Sequence, residues 1–266
     1  MSSKPIVIKI GTSTLTGRNK GEAINLELLE KLAQTVCEIE KDLNKKCILV
    51  SSGAMGLGIN KLGLEDKHDV YEDVLDFKAA ITAIGQVELI NTYEKVFKKH
   101  GKHVGQILIT DYALNEPSRQ SRVKKSIKQL FELDVLPIFN ENDTVCPDEI
   151  EFGDNDRLSA SVAKLVSAER LIILTDCNGL YDSDPHKNPD AKLIPTVNKI
   201  TEEIKKIAGD SSTYVGLGGM KSKIMAAGIC LDAGIAMNIL NKDFLESMKD
   251  LILDSSEKPL NTEFKA

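Results

Sequence analysis

Short apolar runs alternate with segments of helical periodicity along almost the whole chain. Residues 6–10 (Ile-Val-Ile-Lys-Ile) precede a glycine turn, after which Leu28, Leu32, Val36, Ile39 and Leu43 recur at three-to-four spacing, the stripe of an amphipathic helix. Residues 47–50 form a second apolar run, ending in Ser51-Ser52-Gly53 and a glycine-dotted helix start. A long helical pattern covers 75–99, residues 104–109 return to strand, and a helix is predicted over 117–133 with Pro117 in its first turn. Residues 135–139 and 171–174 read as strands with a helix over 158–166 between them; a helix after Gly219 and a strand over 235–240 close the pattern.

Strand–helix–strand repetition with near-continuous Val, Ile and Leu strands predicts an α/β fold around a mostly parallel sheet covered on both faces. No low-complexity linker or repeat interrupts it. A boundary near residues 143–153 divides two lobes at most, so one contiguous sheet is expected.

Composition narrows the function classes. The chain has 266 residues, 42% hydrophobic and 28% charged, and a formal net charge of −6, which argues against bulk binding to nucleic acid or an anionic membrane. The basic run Arg119, Arg122, Lys124, Lys125 and Lys128 reads as a solvated helix face. Five scattered cysteines without a Cys-x-x-Cys pair fit free thiols in a reducing compartment, and no signal peptide or membrane span is apparent; the cytoplasm is the expected location.

Candidate chemistry gathers at strand ends. Four strands lead into Lys9-Ile10-Gly11-Thr12-Ser13, Ser51-Ser52-Gly53-Ala54, Asn140-Glu141-Asn142-Asp143 and Thr175-Asp176, and ligands of open parallel sheets bind beyond such carboxyl ends. Gly153-Asp154-Asn155-Asp156 adds a second acidic turn. Lys9 lies in a run buried on both faces, where an ammonium is costly unless an anion meets it. Either it snorkels to a structural carboxylate, or it is reserved for phosphate oxygens with Asp156 as an orienting partner. Gly216-Leu217-Gly218-Gly219-Met220-Lys221-Ser222-Lys223 opens a helix, whose N-terminus and lysine suit a phosphate, although no Walker A loop is present. His100 and His103 lack partners at zinc spacing, and no metal site is expected from side chains.

At these residues the chain resembles the glutamate 5-kinases of the amino acid kinase superfamily. The likeness covers Ile6 to about Asn241 and rests on Val7-Ile-Lys-Ile-Gly-Thr-Ser13, Val50-Ser-Ser-Gly-Ala54, Asn140-Glu-Asn-Asp-Thr-Val145, Gly153-Asp-Asn-Asp156, Leu174-Thr-Asp176 with Gly179-Leu-Tyr181, and Gly218-Gly-Met-Lys-Ser-Lys223. It implies an αβα sandwich with L-glutamate held by the N-terminal part and ATP by the C-terminal part. Carried over by motif, Ser52, Asp143 and Asn155 would contact glutamate. Lys9, Thr175, Asp176, Leu217, Gly218, Gly219, Met220, Lys221, Ser222 and Lys223 would contact ATP. Leu217 stands where a small polar residue is usual, and Asn261-Thr262-Glu263-Phe264 matches Gly-Thr-x-Phe only in part. Many members carry a C-terminal RNA-binding-like (PUA) domain, which a chain of this length is expected to lack.

The implied reaction moves the ATP γ-phosphoryl group to the side-chain carboxylate of glutamate, the first step of proline synthesis. That acceptor is ionised at neutral pH, so no general base is needed. Lys9 and Lys223 would stabilise the phosphoryl group, Asp156 would hold the lysines, and Mg²⁺ would bridge the phosphates. Asp143 would face the substrate's α-ammonium, its plainer reading being a turn cap. The resemblance also implies feedback by proline, a dimer or tetramer, and a glutamyl phosphate reductase as functional partner. Aspartate kinase, N-acetylglutamate kinase and a catalytically silent amino-acid sensor are the alternatives.

Overall fold

The computed structural model describes residues 3–16, 24–65, 74–145, 155–185, 187–210 and 219–265. β1 (Ile6–Ile10) runs into one turn of helix, α1 (Thr12–Thr16), and α2 (Leu26–Leu43) is the predicted amphipathic helix. Asn25 caps it, its side chain accepting from the Leu28 N–H at 3.0 Å. β2 (Cys47–Ser51), α3 (Ala54–Leu62), α4 (Leu75–Lys99) and β3 (His103–Ile109) follow. Next come α5 (Asp111–Asn115), α6 (Pro117–Glu132), β4 (Val135–Glu141), α7 (Asn155–Val166) and β5 (Arg170–Thr175). The C-terminal part contains β6 (Thr196–Val197), α8 (Glu202–Asp210), α9 (Met220–Asp232), β7 (Ala236–Asn241), a 3₁₀ segment (Lys242–Ser247), α10 (Met248–Ile252) and β8 (Asn261–Phe264).

Among the described residues eight strands form one sheet in the order β3-β4-β2-β1-β5-β7-β8-β6. The five pairings from β3 through to β7 are parallel, whereas β8 runs antiparallel to β7. The carboxyl ends of β1, β2, β4 and β5 therefore share one edge, as the pattern of loops required. Strand alternation sends Ile6, Ile8 and Ile10 into a core with α2 and α4, while Val7 joins a second core with α7 and α9. The result is an αβα sandwich, the architecture expected of the chain.

Several boundaries differ from expectation, and each difference matters for the site. β4 continues two residues past Phe139, carrying Asn140 and Glu141 as its last rungs. α7 begins at Asn155 rather than 158, so Asn155 and Asp156 are first-turn helical residues and not part of a loop. β6, α8 and β8 were not anticipated: these segments are short or mostly polar, and only pairing with neighbours orders them. β8 lies where Asn261-Thr262-Glu263-Phe264 was noted; its Thr262 hydroxyl accepts from the Leu180 N–H at 2.8 Å and lies 2.7 Å from the Ile194 carbonyl. The basic run on α6 is exposed, as predicted. The expected lobe boundary falls largely outside the described residues.

Glycines seat α3 against α4. A Cβ on Gly85 would fall 1.7 Å from the Ala54 carbonyl oxygen, and one on Gly58 2.1 Å from that of Ile81. Only glycine permits this approach, which holds the start of α3, and with it the β2–α3 turn, in place.

Candidate active site

Alternation along β1 decides where Lys9 goes. It shares the face of Val7, beneath α7 and α9, and it is 5% exposed. Its ammonium meets Asp156 Oδ1 at 2.5 Å. Lys223, in the first turn of α9 and also buried, meets the other oxygen, Oδ2, at 3.0 Å. Two cations from opposite ends of the polypeptide thus converge on one fully buried carboxylate. Burial would push Asp156 upward, but the Lys223 and Lys9 ammonium groups outweigh it and hold the carboxyl well below the usual carboxylate range. The three side chains together carry one net positive charge, an arrangement suited to anionic oxygens.

Two further features fit this cation pair to a phosphate. A Cβ on Gly11 would lie 3.2 Å from the Lys9 ammonium, so glycine keeps the space above that charge open. The Ser222 hydroxyl lies 2.9 Å from Asp156 Oδ2 and 2.7 Å from the Gly219 carbonyl, and can donate to one of them at a time. Gly219 caps α9 with extended backbone and no side-chain cap, so among the described residues no capping side chain competes for the N–H groups of that helix start. Met220 is half-buried and Lys221 exposed beside it, while Leu217 and Gly218 lie outside the described residues. At the end of β5, Thr175 is buried with its hydroxyl 3.4 Å from the Asp176 carboxylate, and Asp176 is exposed.

A polar cluster occupies the neighbouring strand ends. Val50 pairs with Phe139 across β2 and β4, bringing Ser51 and Asn140 side by side. Asn155, opening α7, directs its amide nitrogen at the Ser51 carbonyl (2.6 Å), the Ser52 hydroxyl (2.8 Å) and Asn140 Oδ1 (2.8 Å). Three acceptors contend for two hydrogens. Gly53, at φ 97°, turns the chain from β2 into α3 immediately beyond Ser52.

Asp143 stands three residues beyond Asn140, on the rim of a cavity of about 280 Å³ between α4, the β3 edge and the end of β4. Desolvation raises its carboxyl to about 6, against which its own backbone N–H works only weakly. The structure therefore joins Ser52 and Asn155 directly, sets Asp143 in the adjoining cavity, and joins Lys9, Asp156 and Lys223 in the second cluster. Asn140 belongs to the first cluster as well. It had been legible only as part of a motif, because nothing in a strand-end asparagine announces its partner.

A family profile described as the amino acid kinase family matches residues 4–241 of the 266. The chain belongs to the amino acid kinase family. Within that family it is 42% identical over 255 residues to a glutamate 5-kinase of Clostridium acetobutylicum, covering 96% of this chain and 93% of the relative. It is 44% identical over 249 residues to the glutamate 5-kinase of Clostridium tetani, covering 94% and 91%. Against a Thermoanaerobacter glutamate 5-kinase the match is 44% over 236 residues and spans 62% of that longer protein. Solved structures share the amino acid kinase fold at low identity: UMP kinase from Ureaplasma parvum (TM-score 0.67, 17% identical, all of both chains) and carbamate kinase from Giardia lamblia bound to AMP-PNP (TM-score 0.65, 18% identical, all of both chains).

Proposed function

We infer that the chain is a glutamate 5-kinase, transferring the γ-phosphoryl group of ATP to the side-chain carboxylate of L-glutamate. The observation that carries the reaction class is the convergence of Lys9 and Lys223 on Asp156 beside the glycine-capped start of α9. The choice of glutamate is supported by identity of 42–44% to relatives of that activity across nearly the whole chain.

Phosphoryl transfer between two anions asks for alignment and charge neutralisation rather than a base. In this reading Lys9 and Lys223 lie against the transferring phosphoryl oxygens and the leaving oxygen. Asp156 is a positioning residue that fixes both ammonium groups. Thr175, Asp176 and the segment from Leu217 through Gly218, Gly219, Met220, Lys221 and Ser222 hold the nucleotide. Mg²⁺ arriving with ATP would neutralise part of the phosphate charge beside Lys9 and Lys223. Ser52, Asn155 and Asp143 hold the amino acid. Because the Asn155 amide is oversubscribed, the Ser52 hydroxyl can turn to the substrate without stranding a hydrogen-bond donor.

Asp143 supplies the discrimination among acceptors: a carboxylate there pairs with a free α-ammonium, which an N-acetylated amino acid lacks. Trapping of the acyl phosphate by hydroxylamine, with L-glutamate, L-aspartate and N-acetyl-L-glutamate compared side by side, tests the assignment. Hydroxamate from glutamate alone is the expected result, and preference for either of the others would replace it. An acyl phosphate is labile, so a reductase that consumes it is the natural partner. Inhibition by proline and assembly into dimers or tetramers belong to the same proposal and would be read from the same assay and from sedimentation.

A further inference from the structure

β5 ends at Thr175, and the chain then turns through Asp176, Gly179 and Leu180. What holds this turn comes from the far end of the sequence. The Leu180 N–H donates to the Thr262 hydroxyl at 2.8 Å, and that hydroxyl donates in turn to the Ile194 carbonyl at 2.7 Å. Leu180 and Ile194 already face each other: the Ile194 N–H donates to the Leu180 carbonyl at 2.8 Å, and Tyr181 bridges Leu193 in antiparallel sense. A regular antiparallel pair would exchange a second backbone bond, from Leu180 back to Ile194. The fully buried Thr262 hydroxyl stands in its place, accepting one bond and donating the other.

The fit on both sides of the turn is close. Gly179 has φ 144°, and a Cβ there would fall 2.4 Å from the Thr262 hydroxyl oxygen, so no side chain can stand between β8 and the turn. From the other side Asn241, the register partner of Thr175 across β7 and β5, donates from its amide to Asn178 Oδ1 at 2.8 Å. β8 is itself firmly seated. Thr262 pairs with Ile239 in the ladder to β7, Phe264 is buried in the core with α9, and buried Arg170 donates to Asn238 of β7 (2.5 Å) and Glu263 of β8 (3.0 Å). The matched family profile ends at residue 241, before this strand.

We propose that Thr262 is a positioning residue for nucleotide binding: β8 acts as a clasp that fixes the turn over 175–181, and with it Thr175 and Asp176, in the shape that receives ATP. The inference rests on the assignment of Thr175 and Asp176 to the nucleotide and extends control of that site to a strand outside it. A turn left loose must be ordered by the ligand, and that ordering subtracts from affinity. The amino-acid side of the site, at the ends of β2 and β4 and the start of α7, does not depend on the clasp.

The test measures AMP-PNP binding by calorimetry, together with the KM values for ATP and glutamate in the hydroxamate assay. Thr262→Val keeps the volume and removes the hydroxyl. It should raise the Kd for AMP-PNP and the KM for ATP roughly tenfold, while the KM for glutamate stays within about twofold. Thr262→Ser keeps the hydroxyl and loses a buried methyl, so it should bind AMP-PNP as the unaltered chain does even though its melting temperature falls. Affinity that follows the melting temperature rather than the hydroxyl overturns the inference, as does an unchanged Kd in folded Thr262→Val. Should Thr262→Val not fold, Asn178→Ala loosens the same turn with β8 intact, and an unchanged Kd there has the same force. Absence of AMP-PNP binding by the unaltered chain overturns the nucleotide assignment, and this inference with it.

Discussion

Lys9 shows how a residue costly for the fold becomes useful. Placed among Ile6, Val7, Ile8 and Ile10 it would sit uncompensated in the core, and Asp156 prevents this. Removing one partner of a buried pair is far worse than never having built it, by about 3–5 kcal/mol. Lys223→Ala leaves Lys9 to pair with Asp156, so the fold should persist while kcat falls about a hundredfold or more with little change in KM. Steady-state kinetics on the folded variant checks this, and unchanged turnover removes Lys223 from the reaction. Asp143 behaves oppositely. Its carboxyl is raised to about 6 by burial, so the ionised form weighs against the folded state. That penalty is absent below the ordinary Asp value of about 3.9, grows as pH rises towards 6, and is constant above. Asp143→Asn should therefore raise the melting temperature at pH 8 and leave it unchanged near pH 3.5, while glutamate binding is lost and ATP binding kept. Equal loss of both ligands would count against its place at the α-ammonium.

At the scale of elements, helices position chemistry through their first turns and through close packing. α7 offers Asn155 and Asp156 at its start, α9 offers Ser222 and Lys223, and the β2–α3 turn offers Ser52; their relative placement follows from the register of β1, β2, β4 and β5. The Gly58–Gly85 contact ties α3 to α4 with no room for a methyl group. Gly85→Ala should destabilise by about 1–3 kcal/mol, the range for overpacking, and should raise the KM for glutamate before that for ATP. Chemical denaturation and paired KM measurements check both parts. An unchanged glutamate KM would show that the helix pair matters only for stability. The periodicity of α2, α4 and α6 was legible because their apolar stripes are long. β8 was not, because Asn261-Thr262-Glu263-Phe264 is half polar and gains its order from Thr262 meeting the Gly179-Leu180 turn.

At the scale of the whole molecule, the eight strands among the described residues form one sheet and place a doubly covered core behind a single working edge. No helix among the described residues is long and apolar enough to cross a membrane. The opposite edge carries ion pairs of its own: buried Lys102 meets the largely buried Glu40 and the exposed Asp134, each at 2.6 Å, and buried Arg170 meets Glu263 at 3.0 Å. The ion-paired carboxyls Asp134, Asp156 and Glu263 are held below their ordinary values in the folded state. Groups of this sign stabilise above the unfolded carboxylate pKa and lose that contribution as pH falls through the folded value. Stability should therefore fall as pH drops below about 4, where these carboxylates take up protons. A denaturation midpoint that stays level from pH 5 to pH 2 would contradict this.

Local chemistry along the chain was enough for the strand–helix alternation, the doubly covered parallel sheet and the strand-end position of four polar motifs. Period and turn residues act over a few positions, and parallel strands must present their carboxyl ends together. Contacts between distant residues were not legible in this way. That Lys9 and Lys223 share one carboxylate, that Asn155 reaches Asn140 and Ser52, and that Thr82 and Gln86 face a cavity all depend on strand register and on how helices pack across the sheet. No local pattern encodes such distances; only closing the sheet and seating its helices brings those side chains within reach of one another.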